Sequence, residues 1–510
     1  MAIPSCVHSH PLVLTLLLQE MTSQPCFPVL PYGSPTTLSG LSETFSFHAS
    51  PEAFITSRVL AFQASNESLA DSRTPIRAKV LNRNIAVVSS YDHIKQLLCD
   101  EAIISRLNAG KAYDDLMAPF FPSPNLLLAD GPSHQPMKNA WASRMASLLD
   151  EIQSLVQEAV RFHFRDIPSA STIDLYESMK ALSWKLILSI FMSSSDERDR
   201  ARKDAAEIES LQEDLLRGQF SLFPVSISTP LWRSPRAKGL AARKKLQSLL
   251  KARVQRGKKG CPFASSDSAD EDNIANHLLL FTSSLAVKSL ASLLTAVMLN
   301  LYVYRDKASS QQATSVASRI LSSEIARDRH ELLKSIILET ERLSPPVVGI
   351  MRRTTQDIIL STQKERFQDT LIPQGWDVWL YFVGAARDPA VFGKMADLFS
   401  PGRYYNTADG AEDSRPGFAF GAGSKSCLGE TLMREVVTTV AKTCLGMNGG
   451  SKGGVVLEAS MEDLPRGVQG WLGWQKDVKP EEWARDMKQL PTQRPIKGVM
   501  VKVVHDLGPS

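Results

Sequence analysis

Cysteine is scarce in this chain and widely scattered. Six cysteines among 510 residues stand at 6, 26, 99, 261, 427 and 444. They form no Cys-x-x-Cys pair and no cluster, so neither a disulfide scaffold nor a zinc knuckle is expected, and reduced thiols are the default. An excess of one charge is missing too. Lys+Arg exceeds Asp+Glu by 58 − 54 = +4, well short of what a protein that neutralises phosphates carries, which sets nucleic acid aside as a partner. Long apolar runs near the start are absent. Leu12–Leu18, interrupted by Thr15, is shorter than the roughly 20 residues of a spanning helix, and no basic stretch precedes it, so no anchor or targeting segment is read there. No repeat of fixed period occurs among the helical stretches that follow.

What is present is an ordinary globular balance, 43% hydrophobic and 22% charged, with enough length to bury a large core. The first fifty residues, rich in Ser, Thr and Pro and without helical period, read as a leader or surface strap; residues 51–510 read as one body. Tyr91–Asp100 reads as an amphipathic helix after a strand at Ile85–Val88. Ala140–Phe164, Leu175–Met192 and Asp196–Leu216 carry apolar residues at three-and-four spacing for several turns. Phe220–Pro235 is a greasy, proline-broken loop, to be read as buried packing or as a membrane-dipping or gating lid. Arg233–Lys259 holds many Lys and Arg and no acid, as a solvated helix face or a docking patch does. Ile274–Tyr304 runs about 31 residues without Gly or Pro, with Lys288 its one full charge. Its many hydroxyls and central lysine argue against lipid on all sides, so a buried helix through the middle of a large domain is expected.

Two places carry chemistry. In Phe420-Gly421-Ala422-Gly423-Ser424-Lys425-Ser426-Cys427-Leu428-Gly429 a cysteine closes a glycine-rich loop and opens a helical stretch. Backbone N–H groups and a helix N-terminus there favour a thiolate, which suits a metal. Gly421 and Gly423 permit a tight turn, and Gly429 lets a flat ligand lie close to the helix. Upstream, Glu339 and Arg342 share one face of a helix at ion-pair spacing, followed by Pro345-Pro346, by Arg352 and Arg353, and by Pro401-Gly402-Arg403-Tyr404.

This ordered set strongly resembles the cytochrome P-450 superfamily of haem-thiolate monooxygenases, whose pattern combines Phe-Gly-x-Gly-x-Arg-x-Cys-x-Gly, Glu-x-x-Arg and Pro-x-Arg-aromatic. The match rests on Phe420, Gly421, Gly423, Cys427 and Gly429, on Glu339 and Arg342, and on Pro401, Arg403 and Tyr404. Asp130-Gly131-Pro132-Ser133-His134, with Lys138 four residues on, looks like the helix entry whose basic side chains meet the haem propionates. The resemblance implies a mainly α fold with small β-sheets, built as a single large helical domain. It implies haem b with Cys427 as axial thiolate to the iron, and a buried network of Glu339, Arg342 and Arg403 that pins the cysteine loop. His134, Lys138, Lys425 and Arg352 would neutralise the propionates, with Arg353 standing in for Arg352 if the strand register differs.

Two departures stand out. Lys425 occupies the position where the family usually has Arg or His, keeping the charge and losing the fork. Between Phe281 and Thr295 the central helix has no acid, only hydroxyls and Lys288, where the family places an acid and a threonine to relay protons to dioxygen. Ser283, Ser284, Ser289 and Lys288 are the candidates left, with Ser284 and Lys288 assigned the catalytic role. The chain carries none of the glycine fingerprints of flavin or nicotinamide sites, so electrons are expected from a separate NADPH-dependent reductase. The implied activity is insertion of oxygen from O₂ into a hydrophobic intermediate of natural-product biosynthesis, in the manner of fungal tailoring enzymes. By resemblance the site of action is the cytosolic face of the endoplasmic reticulum, reached without a visible anchor or by peripheral contact through Phe220–Trp232. The alternatives are a haem-thiolate isomerase, dehydratase or ring-coupling oxidase, a haem sensor or carrier without turnover, and last a hydrolase built on Cys427 and His134.

Overall fold

The computed structural model describes residues 37–506 apart from 66–73, 81–82, 115, 193–197, 222–225, 230–231, 257–262, 265–267, 306–313, 362–368, 406–414, 448–453 and 475–476. Helix dominates. The longer helices are α1 Thr37–Ala49, α2 Pro51–Ser65, α3 Tyr91–Cys99, α4 His134–Ala146, α5 Leu149–Arg165, α6 Leu175–Met192, α7 Arg198–Gln219, α8 Pro235–Arg256, α9 Ser268–Phe281, α10 Ser284–Tyr302, α11 Ala326–Leu343 and α12 Glu430–Cys444. Helix α5 shows why such segments form. Ile152, Val156, Val160 and Phe164 recur every fourth residue and are buried, Asp150 and Glu151 sit in the first turn, and His163 and Arg165 in the last, complementing the helix dipole.

Of the residues read as a leader, 1–36 lie outside the described part, and 37–49 form α1, contrary to the reading of no helical order up to residue 50. Glu43 of α1 accepts from the backbone N–H of Lys79 and pairs with Arg58, and Phe47 packs on Trp379. Tertiary contacts therefore order a segment whose own composition is a weak helix signal.

The main sheet is small and mixed. Its strands are β1 Ile76–Val80, β2 Arg83–Val88, β3 Leu107–Asn108, β4 Gly349–Thr354 and β5 Asp377–Tyr381, ordered β1-β2-β5-β4-β3. All neighbours are antiparallel except β2 and β5, which run parallel with Ile85 opposite Asp377. This sheet settles the strand register left open between Arg352 and Arg353. Arg353 lies opposite Asp377 and donates to both its oxygens, at 3.0 and 3.3 Å, while Arg83 holds the same carboxylate at 2.5 Å. Successive side chains point to opposite faces, which sends Arg352 the other way.

The helix expected to run unbroken over 274–304 is two helices. Helix α9 ends at Phe281, and Ser283, at φ −62° and ψ 147°, accepts from the N–H of Ala286 and starts α10 afresh. The N-cap chemistry of serine explains the break, since its hydroxyl offers the backbone an alternative to continuing the ladder. Beyond it α10 is buried almost throughout, with Val287, Ala291, Leu294, Thr295 and Met298 inaccessible. By length and hydropathy the stretch would cross a membrane, but here most of it is enclosed by the other helices. Asn300 donates to Thr340 at 2.9 Å and accepts from the Trp474 indole at 2.7 Å, fixing α10 against α11.

In the greasy loop, Leu222, Phe223, Val225 and Leu231 lie outside the described residues. Ile227 and Trp232 are exposed on a short turn closed by a Ser228–Arg233 bridge.

Candidate functional site

Helix α11 ends in the charge network. Glu339 and Arg342, both fully buried, form a two-pronged pair at 2.8 Å per contact, and Arg403 adds a further 3.1 Å contact to each Glu339 oxygen. The N–H of Ser400 also donates to Glu339, at 3.0 Å. Arg342 spends its remaining donors on the carbonyls of Ala386, Ala396 and Leu398. Every charge thus has a partner, which a buried network requires. The network reaches the cysteine loop through backbone contact, because a Cβ on Gly417 would stand 2.8 Å from Arg342 Cα.

The loop itself is a tight turn. Gly421 and Gly423 have φ of +71° and +67°, and a Cβ on Gly423 would fall 1.9 Å from the Leu98 carbonyl, so no larger residue fits. The N–H of Cys427 donates to the Phe420 carbonyl at 2.8 Å, turning the sulfur outward at the start of α12. A Cβ on Gly429 would lie 3.9 Å from that sulfur, so glycine keeps its flank clear. Cys427 as a residue is exposed. Burial by the surrounding protein pushes its thiol pKa up, while the Gly429 N–H and Lys138 pull it down and Glu430 opposes them. In the free thiol burial is thus the largest influence, and it favours the neutral form. A bound metal ion reverses that balance.

Four basic groups gather beside the loop. His134, Lys138, Lys425 and Arg352 lie in one another's field, with Asp130 the carboxylate among them. Burial and these cations hold His134 down to about 4, which keeps it neutral near pH 7. Lys425 pairs with Asp130 at 2.5 Å and also reaches the Ala129 carbonyl. Lys138 donates to the carbonyls of Ser424 and Ser426 at 2.8 and 2.9 Å, bracing α4 on the cysteine loop. Arg352 is 8% exposed, and its hydrogen bond among the described residues goes to the neighbouring Met351 carbonyl. Desolvation lowers its pKa. A buried guanidinium with no carboxylate bonded to it among the described residues, near an exposed cysteine, is the donor set a flat metal cofactor with anionic arms needs, so these residues fit haem.

The other candidates face elsewhere. Ser284, 1% exposed, donates to Glu213 Oε1 of α7 at 2.5 Å, and Lys288 pairs with Glu213 Oε2 at 2.8 Å. Ser289 donates to the Leu285 carbonyl one turn back. An acid does stand beside the central helix, but it comes from α7. Sequence reading missed Glu213 because its partners lie 71 and 75 positions away. It also missed Arg434, which grips Glu341 through three contacts of 2.7–3.1 Å, pairs with Glu430, and lies 5.1 Å over the Phe420 ring. The i,i+4 spacing of Glu430 and Arg434 was a usable signal for that one.

Comparison with known proteins agrees with this geometry. The Cytochrome P450 family profile matches residues 313–445, which span the helix of Glu339 and the cysteine loop. Among curated proteins, Cytochrome P450 714C2 of Oryza sativa subsp. japonica is 29% identical over 189 residues, 36% of this chain and 34% of that protein. Cytochrome P450 734A1 of Arabidopsis thaliana is 24% identical over 285 residues, 51% of this chain and 52% of its own. Cytochrome P450 monooxygenase gsfF of Penicillium aethiopicum is 32% identical over 101 residues, 20% of this chain and 19% of its own. The matched part thus spans about a third to a half of the first two relatives. The fold likeness extends further: the retinoic acid-bound cyanobacterial CYP120A1 superposes with a TM-score of 0.68 at 19% identity, covering 94% of this chain and 99% of that one. P450BioI, solved with an acyl carrier protein ligated to hexadec-9Z-enoic acid, gives 0.59 at 15%, covering 90% and 99%. A haem-thiolate fold of mainly α architecture with small sheets is the class defined here. Residues 313–445 match the Cytochrome P450 family model, and the fold is that of cytochrome P450 structures, a family whose cofactor is haem held by a cysteine thiolate.

Proposed function

We propose that this protein is a haem-thiolate monooxygenase that oxidises a hydrophobic small molecule of secondary metabolism, using O₂ and electrons from a separate NADPH-dependent reductase. The observation that carries the reading is the exposed Cys427, set between a glycine turn and the basic group of His134, Lys138, Lys425 and Arg352. Haem bound there supplies the oxygen-activating iron, with electron push from the sulfur. Cys427 holds the metal, and Phe420, Gly421, Gly423 and Gly429 shape the turn that presents it. Arg352, His134 and Lys425 meet the anionic arms, while Lys138 clamps the loop through the Ser424 and Ser426 carbonyls. Glu339, Arg342 and Arg403 keep that loop in place from beneath. Ser284 and Lys288, joined through Glu213 at the start of α10, are the catalytic candidates of the central helix. A relative from Melia azedarach, 25% identical over 318 residues, is named (21S)-21-acetyl-1-hydroxy-apo-melianone synthase, and that product supports the substrate class.

The test is spectroscopic. The reduced, carbon-monoxide-bound protein is expected to show the red-shifted Soret band of thiolate ligation, and Cys427→Ala to lose it. A band unchanged in that variant overturns the assignment. A redox-neutral isomerase or dehydratase is the second reading, favoured by one observation: Ser284 and Lys288 spend their polar atoms on Glu213, and Ser289 on its own backbone. Turnover without NADPH and reductase decides for it.

A further inference from the structure

Helix α7 meets the central stretch at the break between α9 and α10, and two of its residues make the contacts there. Gln212 donates to the Leu279 carbonyl at 3.1 Å and to Thr282 Oγ1 at 3.2 Å, on the α9 side of the break. The next residue, Glu213, takes Ser284 and Lys288 on the α10 side, at 2.5 and 2.8 Å. Two consecutive residues therefore hold both ends. Ser284 and Lys288 are one turn apart, so a single carboxylate fixes the first turn of α10 in rotation as well as position. Its negative charge also suits the N-terminal end of a helix. The consequence falls on the rest of that turn. Ser284, Val287 and Leu290 are buried, whereas Leu285, Ala286 and Ser289 remain partly exposed. A turn of the helix about its axis would exchange these two sets.

We propose that Glu213 is a positioning residue: by holding Ser284 and Lys288 it sets which side chains of α10, namely Leu285, Ala286 and Ser289, face a bound hydrophobic ligand, and so tunes the shape of ligand accepted. The proposal rests on the haem-thiolate reading, and the two fail differently. Loss of the red-shifted carbon-monoxide band in the wild-type protein removes the function; a shape profile indifferent to Glu213 removes only this inference.

The experiment uses the haem-loaded full chain and a series of 1-alkylimidazoles of rising chain length, titrated by their shift of the Soret band. Glu213→Gln keeps size and an acceptor for Ser284 but drops the charge facing Lys288. It is expected to change relative affinity across the series by about threefold or more, read as Kd ratios between longest and shortest probe. The exchanged pair Glu213→Lys with Lys288→Glu restores the ion pair and is expected to bring the profile back towards wild type. Ser284→Ala, which removes one contact only, serves if Glu213→Gln does not hold haem, and shifts the profile in the same direction. A wild-type profile in both single variants overturns the proposal. So does an exchanged pair that recovers thermal stability while the profile stays altered, because that is the signature of a brace without influence on the ligand.

Discussion

The charge network under the cysteine loop and the polar group beside the central helix solve the same problem with different numbers of contacts. Around Glu339 every ionised atom is met by two arginines, an amide and several carbonyls, and Glu339 and Arg342 are wholly buried. Beside α10 one carboxylate, Glu213, serves a serine and a lysine, and the Lys288 and Glu213 side chains remain 13% and 25% exposed. The first arrangement is over-determined and holds a loop rigidly. The second depends on a single side chain from another helix, so a small change at one residue reaches both partners. Rigidity is thus concentrated at the cysteine loop, and adjustability at the start of α10.

The largest expected effect breaks the over-determined side. Glu339→Ala leaves Arg342 buried without its carboxylate, at a cost of about 3–5 kcal/mol. Denaturant unfolding and haem content measured together should both collapse; full haem content with wild-type stability would place the network's importance elsewhere.

Next comes a pH effect near the start of the central helix. His277 is fully buried, stacks on Trp141 at 4.5 Å and bonds the Asn273 carbonyl, and burial lowers its pKa to about 4 from the usual 6.5. The unfolded chain therefore binds a proton that the folded one refuses between those values, so this contribution is complete above pH 6.5 and is lost as pH falls towards 4. Stability of His277→Phe, measured across pH 4 to 7, should fall less steeply than that of wild type, by about 2–3 kcal/mol over the window. Parallel curves would show that His277 does not contribute to the acid sensitivity.

Lys288→Met sharpens the contrast with Glu339. It strands a partly exposed carboxylate, and the expected loss is about 1–2 kcal/mol, between the values for buried and surface pairs. Thermal unfolding should register it with haem content unchanged; haem loss matching that of Glu339→Ala would erase the distinction between the two regions.

The smallest effect separates the two arginines of β4. Arg353→Ala leaves Asp377 paired with Arg83, so stability should drop by less than about 1 kcal/mol and haem retention should hold. Arg352→Ala, by contrast, should weaken haem retention in competition with apomyoglobin. Equal retention by the two variants would remove Arg352 from the propionate site.

How much of this was legible follows from how far apart the partners are. Glu339 and Arg342 sit three residues apart on one helix, and the glycines and Cys427 lie within ten positions, so fixed local geometry let the pattern be read directly. Arg352 against Arg353 was not readable, because pleat alternation gives two equivalent answers until the neighbouring strand places Asp377 opposite one of them. The break at Thr282–Ser283 escaped because three- and four-residue spacing continues across it, and only the cap geometry of Ser283 shows that the ladder stops.

The sequence alone determined the mainly helical class, the cysteine loop and the ion pair of α11, since each is set by short-range spacing that any fold must obey. Tertiary structure decided the rest: that α1 is ordered, that Lys138 clamps the cysteine loop, that Lys425 meets Asp130, and that Lys288 finds its acid on α7. Those contacts join residues separated by tens to hundreds of positions. No local rule selects among the many carboxylates of the chain; the packing of one helix against another does, because desolvation leaves a buried charge only the partner that the fold brings within reach.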